Sequence, residues 1–573
     1  MRYSNNERHP LHSVEPFGDF KEMIAQQVEK NPDAIAYRYT VKKEDRTKTF
    51  REFQADVNAL GTGLTEMGIH GSHIAMVGEN CYSWIVTYLT VLGSDNVYIP
   101  ADKELPFGEL INVIEHSDAE YVFTTRSFEA KFRENADKMP WIKKFIIYDP
   151  KETAEGRFMA AEELMAMGRK ALEGGNTAYI DEKPVDEDLG VIVYTSGTTG
   201  KAKGVMLSRH NLRSCVYYGM MVSSVMPISL SVLPYNHTYE STCDILVCLH
   251  HGATVCINEN LRTVADNLKK YNPYIVMLVP LFVENFYKKI WKTLEKSGKA
   301  ETVRKLLKFS AGLRKVHIDL RKVLFKDLRA VFGTNIKKIV CGGAPIRSDV
   351  ASFFDGIGID LCNGYGITEC SPLVSANMDN YNDYRSVGCL LPCIDVEIRE
   401  PNAEGEGLIF VKGDTVMMGY YKNPEETAKV LSDGWFNTGD YGKIVDDKLF
   451  ITGREKNLIV LKNGKNVYPE EIESYIAVIP EISEIVVYSL KDEQGNEVAL
   501  CAEIYPEISY AAGREKQEMQ KYFLEEIEKI NVDLPIYKQV HTVRIRTTEF
   551  PKTASRKIKR AGLGQQAPVS EEK

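Results

Sequence analysis

Val191-Ile-Val-Tyr-Thr-Ser-Gly-Thr-Thr-Gly-Lys-Ala-Lys-Gly204 decides how the rest of the chain is read. Its first four residues form a short apolar, β-branched run, the signature of a buried strand. The run opens directly into six small hydroxyl or glycine residues, Thr195, Ser196, Gly197, Thr198, Thr199 and Gly200, followed by Lys201 and Lys203. Glycines let the backbone turn so that successive N–H groups face one anion. The hydroxyls add donors, and the two lysines add point charges suited to a triphosphate. A Walker A loop is excluded, because there Gly-Lys is followed directly by Ser or Thr, whereas Ala202 follows Lys201. The Gly-x-Gly-x-x-Gly dinucleotide pattern is absent as well. A flexible linker is the plain alternative, but linkers do not normally leave a buried strand directly with two lysines at this spacing.

Outward from this stretch, 573 residues are too many for one simple core, so at least two domains are expected. Hydrophobic residues at 44% and charged residues at 26% are ordinary for a globular protein. A net charge of −9 argues against a nucleic-acid partner, which demands clustered positive charge. Eleven scattered cysteines without a Cys-x-x-Cys pair indicate neither a disulfide framework nor a zinc site, and suit a reducing compartment. The N-terminal residues lack the apolar core of a signal peptide, and no apolar run approaches the ~18 residues of a membrane span. A cytoplasmic location is expected, with peripheral contact at the inner membrane face left open.

Before residue 190 the pattern alternates helix and strand. Phe53, Val57, Leu60 and Leu64 recur at helical spacing, while Ile74–Val77, Val97–Pro100 and Phe145–Tyr148 read as buried strands. Strands separated by helix-length segments predict an α/β fold with βαβ units and a largely parallel sheet, of undetermined strand order. Residues 151–185 read as a polar, surface-exposed excursion. Two further strands end in small residues: Ile339-Val-Cys-Gly-Gly-Ala-Pro345 and Ile359-Asp-Leu-Cys-Asn-Gly-Tyr-Gly-Ile-Thr-Glu369. In parallel α/β sheets ligands bind beyond the carboxyl ends of strands. Gly343, Ala344 and Pro345 would admit a flat base closely, and the Tyr365 ring could stack on it. Thr368 could donate to a phosphate, and Glu369 offers a hard oxygen ligand for Mg²⁺. Residues 288–330 read as a basic, solvated helical hairpin. Residues 457–573 carry a compact α+β pattern, with an amphipathic helix marked by Met519, Phe523, Ile527 and Ile530.

Several of these stretches bear a resemblance beyond their chemistry. Tyr194–Gly204 resembles the phosphate-binding signature of the adenylate-forming superfamily, which includes acyl-CoA synthetases, luciferases and peptide-synthetase adenylation domains. Leu233-Pro-Tyr-Asn-His-Thr-Tyr-Glu240 is similar to that family's Leu-Pro-x-x-His-x-x-Glu element, which implies His237 on the path between nucleotide and acyl group. Asn363, Gly364, Tyr365, Thr368 and Glu369 fall in a strong match to its adenine and magnesium motif. Asp440, in Gly434-Trp-Phe-Asn-Thr-Gly-Asp440, matches the aspartate that holds both ribose hydroxyls, and Arg454 matches the ribose-contacting arginine. Lys456 falls on the hinge position, although Asn457 stands where many relatives have aspartate. The resemblance also implies a loop at Lys462 and Gly464 that serves the pantetheine arm of coenzyme A.

Phe550-Pro-Lys-Thr-Ala-Ser-Arg-Lys-Ile-Lys-Arg560 holds five basic residues in nine, which alone could suggest nucleic acid or anionic lipid. It resembles the family's C-terminal motif with a catalytic lysine, here Lys557, and departs from it at Arg556, which replaces a glycine. The apolar segment around Val279 and Pro280 matches the acyl-pocket wall of long-chain fatty acyl-CoA synthetases, the members most similar to this chain. The implied architecture is a large AMP-binding domain over residues 1–454, a small mobile domain over 455–560 and a disordered tail over 561–573. The implied activity is ATP- and Mg²⁺-dependent conversion of a carboxylic acid, of medium to long chain, to acyl-AMP and then, with coenzyme A, to acyl-CoA. A carrier-protein acceptor and a non-catalytic nucleotide- or acyl-binding protein are the alternatives, and both monomer and homodimer are compatible.

Overall fold

The computed structural model describes all residues except 1, 5–8, 196–201, 380, 463–464, 492–496, 553–557, 561–562 and 564–573. The chain divides into two compact units: Tyr3–Val396 with Val411–Phe436, and Met1–Arg2 with Glu397–Phe410 and Asn437–Lys573.

The larger unit is built on two mixed sheets. One has eight strands in the order Gly419–Tyr420, Lys203–Ser208, Leu189–Thr195, Val97–Pro100, His73–Val77, Tyr121–Thr125, Lys144–Tyr148 and Phe158–Ala160. Its inner neighbours pair in parallel, while the Leu189–Thr195 and Lys203–Ser208 strands pair antiparallel. The second has nine strands, with a parallel centre formed by Thr254–Ile257, Ile228–Ser231, Ile275–Leu278, Lys338–Cys341 and Asp360–Gly366. These centres are β-branched and buried on both faces, as helices covering both sides of a sheet require. The expected α/β class holds, and the strand order comes from the tertiary structure.

Helix Phe50–Glu66 starts at a capping box: Thr49 Oγ1 accepts from Glu52 N at 3.2 Å, and Glu52 Oε2 accepts from Thr49 N at 2.8 Å. Phe53, Val57, Leu60 and Leu64 are all buried on it. The expectation of an exposed excursion over residues 151–185 is overturned. Helix Ala161–Glu173 buries Leu164 and Met165, and Tyr179 is fully buried with its hydroxyl donating to Thr90 O at 3.0 Å. A Cβ on Gly168 would lie 1.8 Å from Ala59 O, so glycine there lets this helix close on helix Phe50–Glu66. Polar residues dominate the segment because only one narrow stripe faces inward.

The basic hairpin is observed as helices Pro280–Lys296 and Ala300–Arg314, whose Val283, Ile290, Leu294 and Val303 join the second sheet's core. Among the described residues no helix is long and apolar enough to cross a membrane.

In the smaller unit, strands Ile482–Lys491, Glu497–Pro506 and Val540–Ile545 form a sheet covered by helices Pro469–Ile476 and Lys516–Asn531. Met519, Phe523 and Ile527 are buried, as their spacing predicts. Strand Trp435–Val445 pairs antiparallel with Lys448–Arg454, which places Asp440 opposite Arg454.

Candidate functional site

The loop from Ser196 to Lys201 lies outside the described residues, but its base is described. Thr195 and Lys203 face each other across the antiparallel pair that the loop connects. Lys203 does not stand alone there. Its Nζ lies 2.5 Å from Glu426 Oε2 and 5.1 Å from the centre of the Tyr420 ring. Hydrogen bonds from Lys203 and Lys429 hold the Glu426 carboxyl down at about 2.

Glu426 is delivered by helix Pro424–Val430. Asn423 caps that helix by accepting from Glu426 N at 3.1 Å, and proline fills its first position. Tyr420 is delivered by a two-residue strand that pairs with Lys203–Ser208, with Val205 opposite it. The Tyr420 hydroxyl donates to Glu369 Oε1 at 2.9 Å, and burial, then the Glu369 charge, push its pKa up. Lys203 and Glu369, far apart in sequence, are thus gathered around one tyrosine. Neither Tyr420 nor Glu426 was marked from the sequence; the only local signal was the Asn-Pro helix start beside them.

Glu369 sits half-buried on the turn Thr368–Cys370, directly after strand Asp360–Gly366. On that strand the Asn363 amide nitrogen donates to Tyr384 O at 2.7 Å, while its buried Oδ1 has no hydrogen-bond partner among the described residues. A buried acceptor left open is a site for a donor such as an exocyclic amine. Gly364 and Tyr365 continue the strand, with Tyr365 buried. Gly343 adopts φ +81°, a left-handed conformation that glycine takes without strain, and Ala344 and Pro345 beyond it are exposed.

Between these strand ends a cavity of about 870 Å³, counting the open solvent at its mouth, runs into the larger unit. Gly343 and Tyr365 line one part of it. Tyr239, Cys243, Met277 and Leu373 form apolar walls, and Ser223–Val225 also contribute. Tyr239 is fixed by its hydroxyl, which donates to Val340 O at 3.1 Å. His237 precedes the helical turn Thr238–Glu240 and is half-buried; of this motif Tyr239, not His237, lines the cavity. Val279 precedes helix Pro280–Lys296, in which Pro280 is the buried first residue. Neither of these lines the cavity; Ile275 and Met277, from the strand before them, do.

A π-helical turn, Ser241–Leu246, carries Cys243 into the wall and Asp244 behind it. Asp244 and Glu240 are fully buried. Asp244 accepts from Ser229 Oγ at 2.6 Å, and Glu240 from Ser231 Oγ at 2.6 Å and Val232 N at 2.9 Å. Burial raises both carboxyls, Asp244 to about 6 and Glu240, further aided by the Asp244 charge, well above the carboxylate range.

The smaller unit carries the remaining marked residues. Asp440 Oδ1 lies 3.1 Å from Arg454 Nε, with the aspartate buried and the arginine half-exposed. Lys456 lies on the turn Glu455–Asn457, where the Asn457 amide donates to the Glu470 carboxylate. The departure from aspartate at Asn457 has a physical sense here, since a second carboxylate would repel Glu470. Lys462 is exposed in the loop between the paired strands Ile459–Val460 and Asn466–Val467; Gly464 lies outside the described residues. Lys557 and Arg556 also lie outside them. Their flanks are described: Lys552 bridges to Ile558, and Arg560 is ion-paired with Glu473.

An apolar cavity opening beside strand ends that carry Asn363, Tyr365 and Glu369 suits an enzyme that joins a nucleotide to an organic acid, and that class is the adenylate-forming enzymes. The sequence profile of the AMP-binding enzyme family matches residues 24–421, and the chain belongs to that family. It is 26% identical to the long-chain-fatty-acid–CoA ligase FadD15 of Mycobacterium bovis, over 81% of this chain and 79% of that one. It is 27% identical to the long-chain-fatty-acid–[acyl-carrier-protein] ligase AEE15, chloroplastic, of Arabidopsis thaliana, over 77% of this chain and 70% of that one. The crystal structure of the anthranilate CoA ligase AuaEII with anthranoyl-AMP shares the fold, with a TM-score of 0.75 at 16% identity over 95% of this chain and 96% of that one. The chain is therefore an enzyme, and the relatives named here are acid–thiol ligases.

Proposed function

We propose that this enzyme activates a medium- to long-chain fatty acid with ATP, forming acyl-AMP and pyrophosphate, and transfers the acyl group to coenzyme A. The single observation that carries this reading is the apolar cavity reached from Gly343 and Tyr365, which offers an alkyl chain a dry path beside the nucleotide residues.

A carboxylate must approach the α-phosphate of ATP, and two anions repel, so the barrier is largely electrostatic. The glycine and hydroxyl loop Thr195–Gly200, with Lys201 and Lys203, would hold the triphosphate. Asn363 Oδ1 would accept from the adenine amine, Tyr365 would stack on the ring, and Asp440 and Arg454 would hold the ribose. Glu369 fits a magnesium ion: one oxygen is fixed by Tyr420, and the other bears no hydrogen bond among the described residues. Magnesium, when bound, supplies charge neutralisation on the phosphates. Lys557 would neutralise charge on the reacting carboxylate and α-phosphate. Water destroys the mixed anhydride, so the apolar walls protect it.

For the second half-reaction, rotation of the small domain about Lys456 would withdraw Lys557 and bring Lys462 and Gly464 to the pantetheine arm. Lys557→Ala is expected to abolish acid-dependent pyrophosphate release while sparing thioester formation from supplied acyl-adenylate. Equal loss of both halves would overturn the assigned role. A carrier-protein acceptor is the second reading, favoured by the ligase of Arabidopsis thaliana among the relatives. Pyrophosphate release without coenzyme A thioester would select it. Exposed Phe309, Val316 and Val323 among Lys305, Lys308, Lys315 and Lys322 support peripheral contact with anionic lipid, consistent with work at an inner membrane face.

A further inference from the structure

One stretch of the cavity's lining is backed by charge rather than by more hydrocarbon. Ser223 and Ser224 line it, in the segment between helix Arg209–Val222 and strand Ile228–Ser231. Behind them stands Lys338, whose side chain is 2% exposed. Its ammonium reaches Ser223 Oγ at 2.7 Å, Ser224 O at 3.1 Å and Asp379 Oδ1 at 2.5 Å. An ammonium has three donors, and all three are spent. The lysine is therefore not waiting for a carboxylate at the far end of a dicarboxylic acid; it is a pin. Asp379 completes the brace, accepting from Ser224 N at 3.0 Å and pairing with His12 Nε2 at 2.8 Å. The N-terminal segment is further tied in by His12 N donating to Met221 O at 2.8 Å. Burial works to raise the Asp379 carboxyl, but the Lys338 charge and hydrogen bonds outweigh it and hold it at about 2.

The depth follows from strand geometry. Lys338 begins the strand that ends at Cys341, and Gly342 and Gly343 lie beyond that end. Four residues at ~3.3 Å each separate Lys338 from Gly342, which puts the pinned wall ~13 Å below the cavity's glycine edge.

We infer that Lys338 and Asp379, acting through Ser223 and Ser224, are positioning residues that set the closed end of the acyl cavity and so the longest chain the enzyme accepts. This rests on the acyl-activating reading above. The wall resists a longer chain because displacing it breaks part-buried, charge-assisted hydrogen bonds. Val225, beside the two serines, lines the same wall, so the chain's terminal methyl meets an ordered surface rather than open water.

The test is acid-dependent pyrophosphate release across saturated acids of graded length, compared as ratios of kcat/KM. Lys338→Met with Asp379→Asn removes the pair without stranding one charge. It is expected to raise the ratio for an acid two carbons beyond the wild-type optimum by roughly tenfold or more, since each newly buried methylene is worth about fourfold. Val225→Phe leaves the pin intact, because Val225 lines the wall without taking part in the hydrogen bonds of Lys338 and Asp379, and is expected to lower the same ratio and shift the optimum to shorter acids. Wild-type ratios in both variants, with only the total rate reduced, would overturn the inference. If the double variant does not fold, Val225→Phe decides alone, and an unchanged profile overturns it. Wild-type silence with every acid would instead overturn the proposed function and this inference with it.

Discussion

Lys203 Nζ and Glu426 Oε2 lie 2.5 Å apart, so the lysine that closes the proposed phosphate loop is already neutralised by a residue more than two hundred positions away. On the proposed reading, a polyphosphate arriving at the loop would compete with that carboxylate. Glu426→Gln frees the lysine and removes a negative charge. We expect KM for ATP to fall about threefold to fivefold with little change in kcat, the range of a partly exposed ion pair. Lys203→Ala should raise it. Initial rates of pyrophosphate release against ATP concentration check both, and a rise in KM for Glu426→Gln would show that the pair orients the lysine instead.

Tyr420 holds Glu369 in place through a 2.9 Å hydrogen bond to a charged acceptor. Hydrogen bonds of that kind contribute about 1.5–3 kcal/mol. Tyr420→Phe should therefore lower kcat for adenylation by about tenfold or more and raise the magnesium concentration needed for half-maximal rate. A magnesium titration of the variant decides; an unchanged midpoint would separate the tyrosine from the carboxylate's role.

Asn457 donates to the Glu470 carboxylate. Asn457→Asp sets two carboxylates against each other and should lower the melting temperature of the full chain at neutral pH by a few degrees. Adding Glu470→Gln restores one donor and one acceptor, so the double variant should recover most of the loss. Independent, additive losses in thermal unfolding would contradict the pairing.

Asp244 and Glu240 give stability a pH dependence whose sign is fixed by burial. Their folded-state pKa values are raised, so the folded state favours the protonated forms. The stabilisation is fully present below their ordinary values near pH 4 and is lost as pH rises through about 6 for Asp244, and higher for Glu240. Asp244→Asn keeps an acceptor for Ser229 and cannot ionise. Its melting temperature should fall less than the wild type's between pH 5 and pH 8. Parallel curves for the two proteins would exclude Asp244 as the titrating group.

Much of this protein was legible in its residues alone. Val191–Tyr194 reads as a strand because β-branched residues suit a sheet buried on both faces, and Thr195–Gly200 reads as an anion loop because its chemistry lies in consecutive residues. The helix face at Phe53, Val57, Leu60 and Leu64 and the small-unit helix at Met519, Phe523 and Ile527 follow from a 3.6-residue period that needs no distant partner. The tertiary structure decided what depends on contact between remote segments. The inward stripe of helix Ala161–Glu173 was hidden by polar composition until Gly168 met Ala59. Tyr420 and Glu426 reach Lys203 and Glu369 only because a two-residue strand pairs with Lys203–Ser208, and sheet pairing is not written in local periodicity. Likewise nothing local marks Lys338; only packing brings Ser223 and Asp379 onto its ammonium and His12 onto Asp379, behind one stretch of the cavity's lining.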